Sequence, residues 1–181
     1  MNLSFGKRIR VPFYFVLLFA FCWLGTWICS CFFSLSLRTI PQLILRGGSF
    51  ISLFWLLFSL LTAWEHRVHT AGKTLIFFLR ILLILFSLLA GTFLALLEAF
   101  AFTPEHAVVK YEILMVARVH SFLDESVSYY EDKGPLFYGK ELGYEYYGSG
   151  GNDPISDGNS SPISWYFYDL DGNLLDHGGS F

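Results

Sequence analysis

Glu65, His66 and His69 have the spacing of neighbours on a helix and offer donor types that bind zinc. No further ligand accompanies them, and a basic loop at a membrane surface accounts for them better. Gly148-Ser149-Gly150-Gly151 shares its glycines with phosphate-binding loops. However, no Lys-Ser/Thr pair follows, and the flanks read as strand and loop. Asp169-Leu170-Asp171-Gly172-Asn173 has the acids of a calcium loop without its twelve-residue ligand spacing, so Asp171, Gly172 and Asn173 read as a hairpin turn. Arg118 and His120 share one face of an extended segment. Ser121 cannot serve His120 as a nucleophile partner, because adjacent strand residues point to opposite faces. The pairs Asp124-Glu125 and Glu131-Asp132 read as a solvated rim. Cys22, Cys29 and Cys31 read as small packing residues rather than ligands. These residues imply no enzyme, no metal and no cofactor, and no nucleic-acid partner is expected.

The elements that must position these groups divide sharply by composition. The chain has 181 residues, of which 54% are hydrophobic and 15% charged, too apolar for an ordinary soluble domain. Residues 1–102 carry eight Lys/Arg and two acids, a net of +6; residues 103–181 carry four Lys/Arg and thirteen acids, a net of −9. Nine of the ten tyrosines lie in the second part and all three cysteines in the first. The boundary near Thr103-Pro104 separates a membrane domain from a polar one.

Three apolar runs, near residues 11–37, 47–64 and 74–102, meet the requirement of about 20 residues for a bilayer span. Arg38 and Pro41 end the first. The second is short and closes on Trp64-Glu65-His66-Arg67. The third has Arg80 and Glu98 near opposite ends, each within reach of an interface. The first run exceeds the core of a cleaved signal, and the segment Ile28-Cys29-Ser30-Cys31 fits lipoprotein cleavage poorly. Lys7, Arg8, Arg10, Arg67, Lys73 and Arg80 outnumber Arg38, Arg46 and Lys110. That bias predicts a cytoplasmic N-terminus and an extracytoplasmic C-terminal domain.

Helices in lipid associate where small residues let them approach. Cys22, Thr26, Ser30 and Ser34 recur every fourth position, as do Ser87, Gly91, Ala95 and Ala99. The two series predict smooth stripes that pack the bundle, or serve self-association or another membrane protein.

Beyond Phe102, residues 103–110 read as a connector. Tyr111, Ile113, Met115, Ala117 and Val119 then alternate along one strand face. Lys133-Gly134-Pro135 is a turn signal. Leu142, Tyr144 and Tyr146 alternate against Glu141, Gly143 and Glu145, predicting a half-buried strand with a wet acidic face. Residues 149–162 read as loop, and residues 163–179 as a hairpin. The expected fold is three transmembrane α-helices followed by a small, mainly antiparallel β domain at 103–181.

The stretch VARVHSFLDESVSYYEDKGPLFYGKELGYEYYGSGGNDP with WYFYDLDGNLLDHG resembles small multi-span membrane proteins of low-GC Gram-positive bacteria. These end in a tyrosine-rich domain with a YGxGGxDP-like segment. The similarity covers roughly residues 115–177. It implies a cell-membrane location with the domain outside, and it assigns no catalytic or binding residue.

The expected function is interaction: an accessory, sensing, envelope or self-protection component whose partners are the lipid bilayer and a membrane protein or a second copy. A transporter subunit or homo-oligomeric pore is the alternative, but the spans carry almost no interior charge to mark a path. An extracytoplasmic enzyme would need a constellation that the residues do not supply.

Overall fold

The computed structural model describes residues 3–68, 70–158 and 160–179. Along the chain lie α1 (Leu3–Phe33), β1 (Ser36–Leu37), α2 (Thr39–Glu65), α3 (Thr70–Ala101), β2 (Glu105–Lys110), β3 (Ile113–His120), β4 (Asp124–Asp132), β5 (Phe137–Ser149), α4 (Pro154–Asp157), β6 (Ser164–Tyr168) and β7 (Leu174–Gly178). Three long apolar helices thus precede an antiparallel sheet. Two compact units form. The helical one runs to Trp27 and from Gln42 to Ala99; the sheet unit takes Ile28–Pro41 and the chain from Phe100 onward.

Segments Ile9–Phe33, Thr39–Glu65 and Gly72–Ala101, of 25, 27 and 30 residues, are long and apolar enough to cross a membrane. At ~1.5 Å per residue each exceeds the ~30 Å hydrocarbon core. Their limits differ from those read in the sequence. α1 stops at Phe33 because Ser34 turns to φ 52°, outside helical space. α2 starts at Thr39, well before Gly47, and contains Pro41. In the first turn a proline gives up an N–H that has no intrahelical acceptor, so Pro41 is compatible with the helix rather than a break in it. Glu105 Oε1 accepts from the Thr39 N–H at 2.8 Å and from its hydroxyl at 2.6 Å, capping this end.

In the helical unit α2 is the shared partner. Phe19 of α1 lies over Gly48, where an added Cβ would meet the ring at 2.2 Å, and Trp23 Nε1 donates to Ser49 Oγ at 3.1 Å. On the other side, a Cβ at Gly91 of α3 would touch Phe50 at 3.5 Å, and Phe54 packs on Phe86. Ion pairs clamp the α2–α3 hairpin near both ends. Arg46 meets Glu98 and Arg80 meets Glu65, each at 2.7 Å, and Arg80 also donates to Thr62. Charges in spans are costly unless paired, and here Arg46 and Arg80 each have an acid on the neighbouring helix.

The sheet has seven strands in the order β2-β3-β4-β5-β6-β7, with β1 added to β5 through Ser36↔Tyr138 and Leu37↔Phe137. The strand β1 is unexpected, because it comes from the connection between α1 and α2. Met115, Ala117, Val119, Val127, Tyr129, Leu142 and Phe167 form the core. A second correction concerns residues 103–120. They form a hairpin, not a connector and one strand: Lys110 pairs with Ile113, and Tyr111-Glu112 make a two-residue turn with φ 52° and 63°. Such turns need positive φ at both positions and usually take Asn-Gly or Asp-Gly, so Tyr-Glu hides the reversal. The loop at 149–162 contains α4, capped by Asp153, whose side chain accepts from Ile155 and Ser156 N–H. Asp-Pro at its start is a cap followed by a first-turn proline.

Candidate binding cleft in the sheet domain

The sheet curls, so that the β2–β3 turn reaches strands at the far end of the strand order. Lys110, at the end of β2, pairs with Glu145 of β5, and the Tyr111 hydroxyl donates to Asp176 Oδ2 of β7 at 2.7 Å. A cleft of about 330 Å³ opens there, lined by Lys110, Tyr111, Glu145, Pro162, Trp165, Phe167 and Asp176.

Glu145 forms its floor. It is 5% exposed, against the wet acidic face expected of β5. Register shifts between β4 and β5 disturb the alternation, so Leu142 and Glu145 both enter the buried side. The Glu145 carboxylate takes hydrogen bonds from Lys110 and the Tyr129 hydroxyl, and from the Tyr147 hydroxyl at 2.8 Å. A buried carboxylate is tolerated when it is paired and hydrogen-bonded in this way. Burial, and then the bond to Glu145, raises the pKa of both Tyr129 and Tyr147, so these phenols stay protonated donors.

Aromatic rings surround the Lys110 ammonium. Nζ lies 4.4 Å from the Tyr129 ring centroid and 4.9 Å from that of Phe167, within cation–π range. Phe167 also packs against Tyr111 at 5.2 Å. The second acid, Asp176, accepts from Tyr111 and, at 3.1 Å, from Trp165 Nε1. The bond from Tyr111, and next that from Trp165, hold its pKa below the ordinary carboxylate value, while Tyr111 is pushed up to about 12 by burial and by Asp176. Asp176 forms no ion pair among the described residues. With Lys110 balanced by Glu145, the cleft carries an excess negative charge at Asp176.

The sequence marks none of these groups as a site. The available signal was the sparse Lys/Arg of the acidic half, where Lys110 is one of four. The residues that were singled out lie elsewhere. Asp171, Gly172 and Asn173 form the β6–β7 turn. Asp169 N–H bonds Asn173 O at 2.9 Å, and the Asp169 carboxylate accepts from Asp171 N–H, Asn173 N–H and Asn173 Nδ2. Gly172 sits at φ 89°. Of the first small-residue series, Ser34 falls past α1, which corrects its place on that helix; Cys22 and Ser30 are exposed, and the Thr26 hydroxyl bonds Trp23 O. Of the second, Gly91 faces Phe50 of α2, Ser87 bonds Ile84 O, and Ala95 and Ala99 are exposed. The α2-centred contacts lie where rings approach glycines, Phe19 at Gly48 and Phe50 at Gly91.

Arg118 donates to Tyr138 and Thr103, and His106 meets Asp153 at 2.7 Å. Glu125 is buried and accepts from Asn152 N–H, while Asp132 pairs with Arg38, so these acids are anchors rather than a solvated rim. His69 lies outside the described residues. Comparison with models of known protein families, with characterised proteins and with solved structures finds no match.

Proposed function

We propose that this protein acts by binding, as an accessory or sensing component of the cell membrane, with its N-terminus cytoplasmic and its sheet domain outside. The observation that carries the reading is the cleft: an open, aromatic-walled groove in a domain tethered by three spans, with Asp176 forming no ion pair among the described residues. Small-molecule sites are concave, mostly apolar and furnished with a few placed polar groups, as this one is. Both Glu145 oxygens are engaged by donors, which suits a fixed anchor for a binding wall more than a group that exchanges protons. The orientation rests on the Lys/Arg bias.

Copurification of the full chain after mild detergent extraction tests the accessory role. A stoichiometric partner is expected; a lone monomer, or a ring of like subunits, would count against it. Orientation is tested in a background with the three native cysteines replaced. A cysteine at Ser156 should react with an impermeant thiol reagent in intact cells, and one at Thr70 should not. The reverse labelling would overturn the topology.

A further inference from the structure

We infer that the cleft binds an organic ammonium ion, held by Asp176 against the rings of Tyr111 and Trp165. This deepens the binding reading above and rests on it. The cleft already holds one ammonium of its own. Lys110 Nζ is held by a carboxylate, Glu145, that also accepts from tyrosine hydroxyls, and it lies against the rings of Tyr129 and Phe167. Asp176 is a second carboxylate lining the same cleft. Its Oδ2 accepts from Tyr111 and Trp165, so two more aromatic rings flank a second carboxylate. No Lys or Arg among the described residues forms an ion pair with it, and the neighbouring His177 acts on it without forming one.

Charge and shape then select the ligand class. Lys110 and Glu145 cancel, leaving the Asp176 charge, so an anion is disfavoured and a cation favoured. Walls of Trp165, Phe167 and Tyr111 favour a cation with carbon attached to nitrogen over a hydrated metal ion, because ring faces attract ammonium groups and shed apolar surface at once. A volume of about 330 Å³ accommodates a headgroup-sized amine.

The test uses the full chain in nanodiscs of phosphatidylglycerol, titrated calorimetrically with choline and with its neutral isostere 3,3-dimethylbutan-1-ol. Saturable choline binding, at least about tenfold tighter than the isostere, is expected. Equal binding of the two, or no saturable choline binding, overturns the inference, and this comparison needs no variant. Asp176→Asn should weaken choline by about tenfold or more, whereas Asp171→Asn, which removes a carboxylate outside the cleft, should change it by less than about threefold. Unchanged binding by folded Asp176→Asn would also overturn it. In phosphatidylcholine nanodiscs, loss of the free-choline signal assigns the ligand to a lipid headgroup; undiminished binding assigns it to a soluble amine. Choline binding without any copurified partner would uphold the ligand while removing the accessory role.

Discussion

Arg38 Nη2 donates to Asp132 Oδ1 at 2.8 Å, joining the α1–α2 connection to the end of β4 across 94 residues of sequence. Both side chains are largely buried, at 19% and 17% exposure. Asp132 Oδ1 also accepts from Gly134 N–H at 2.7 Å, and Arg38 N–H bonds Leu136 O at 2.9 Å. The pair therefore fixes β1 beside β5 as well as balancing charge. Arg38→Ala should destabilise the sheet domain by about 1–3 kcal/mol, since it strands a partly buried carboxylate. A double-mutant cycle with Asp132→Asn, read by protease resistance of the full chain in nanodiscs, should show coupling. Strict additivity would remove the pair from the account.

The helical unit makes a contrasting claim about two glycines. A methyl group at Gly48 would meet the Phe19 ring at 2.2 Å, whereas one at Gly91 would make ordinary contact with Phe50 at 3.5 Å. Gly48→Ala should lower the apparent Tm in detergent, Gly91→Ala should be near neutral, and Phe19→Leu should relieve the Gly48→Ala defect. Equal effects of the two alanines would refute a ring seated on Gly48.

At the β6–β7 turn an added Cβ at Gly172 has open space around it, so any cost must come from the backbone at φ 89°. Gly172→Val should cost on the order of 1 kcal/mol or more and raise protease sensitivity in intact cells. Gly172→Asn should be milder, because asparagine tolerates positive φ. Calcium should protect neither; calcium-dependent protection of the parent protein would make this turn a ligand site instead.

Acid should weaken the sheet domain in two stages. His120 has its pKa lowered from 6.5, mainly by burial and then by Arg118, with Glu141 opposing. The unfolded chain therefore takes up that proton first, and stability complete above pH 6.5 begins to fall below it. Asp169 and Asp176 lie below the ordinary value of 3.8, through bonds from Asn173 and from Tyr111 respectively. Burial raises Asp153, but bonds from His106 and Ser156 outweigh it and leave its pKa below 3.8 as well. Their contribution is present above pH 3.8 and lost as pH falls through the lower folded values. Protease resistance measured from neutral pH downward should show both steps, and Asp153→Asn should shrink the second. Stability that rises on acidification would contradict these environments.

Periodicity and charge made the large divisions legible. Long uncharged runs can only be helices in lipid, and a switch to period-two alternation marks Ile113, Met115, Ala117 and Val119 as one face of a strand. The missed features all depend on partners remote in sequence or on rare backbone states. Tyr111-Glu112 turns at positive φ without the residues that usually signal it. Glu145 looks wet beside Glu141, and its burial follows only from a disturbed β4–β5 register and from Lys110, 35 residues away. Gly48 carries no stripe around it, yet it is the point at which Phe19 approaches α2. The cleft could not be read because its walls come from β2, β5, β6 and β7, which no local pattern brings together.

The early strand β1 sets an order of assembly. Ser36 and Leu37 leave the ribosome about 100 residues before Phe137 and Tyr138, their partners in the ladder. Between them lie two helices that must be threaded through the bilayer. Until both are in place the connection waits with its strand edge unpaired, and β1 docks only after Phe137 and Tyr138 have been synthesised. A loop of that length adds little entropy for each further residue, but it delays the closing contact. A chain whose second or third span fails to cross would present residues 36–37 and 137–138 on opposite sides of the bilayer. Its sheet would then keep an open edge at β5, exposed to proteases and to the edges of other chains.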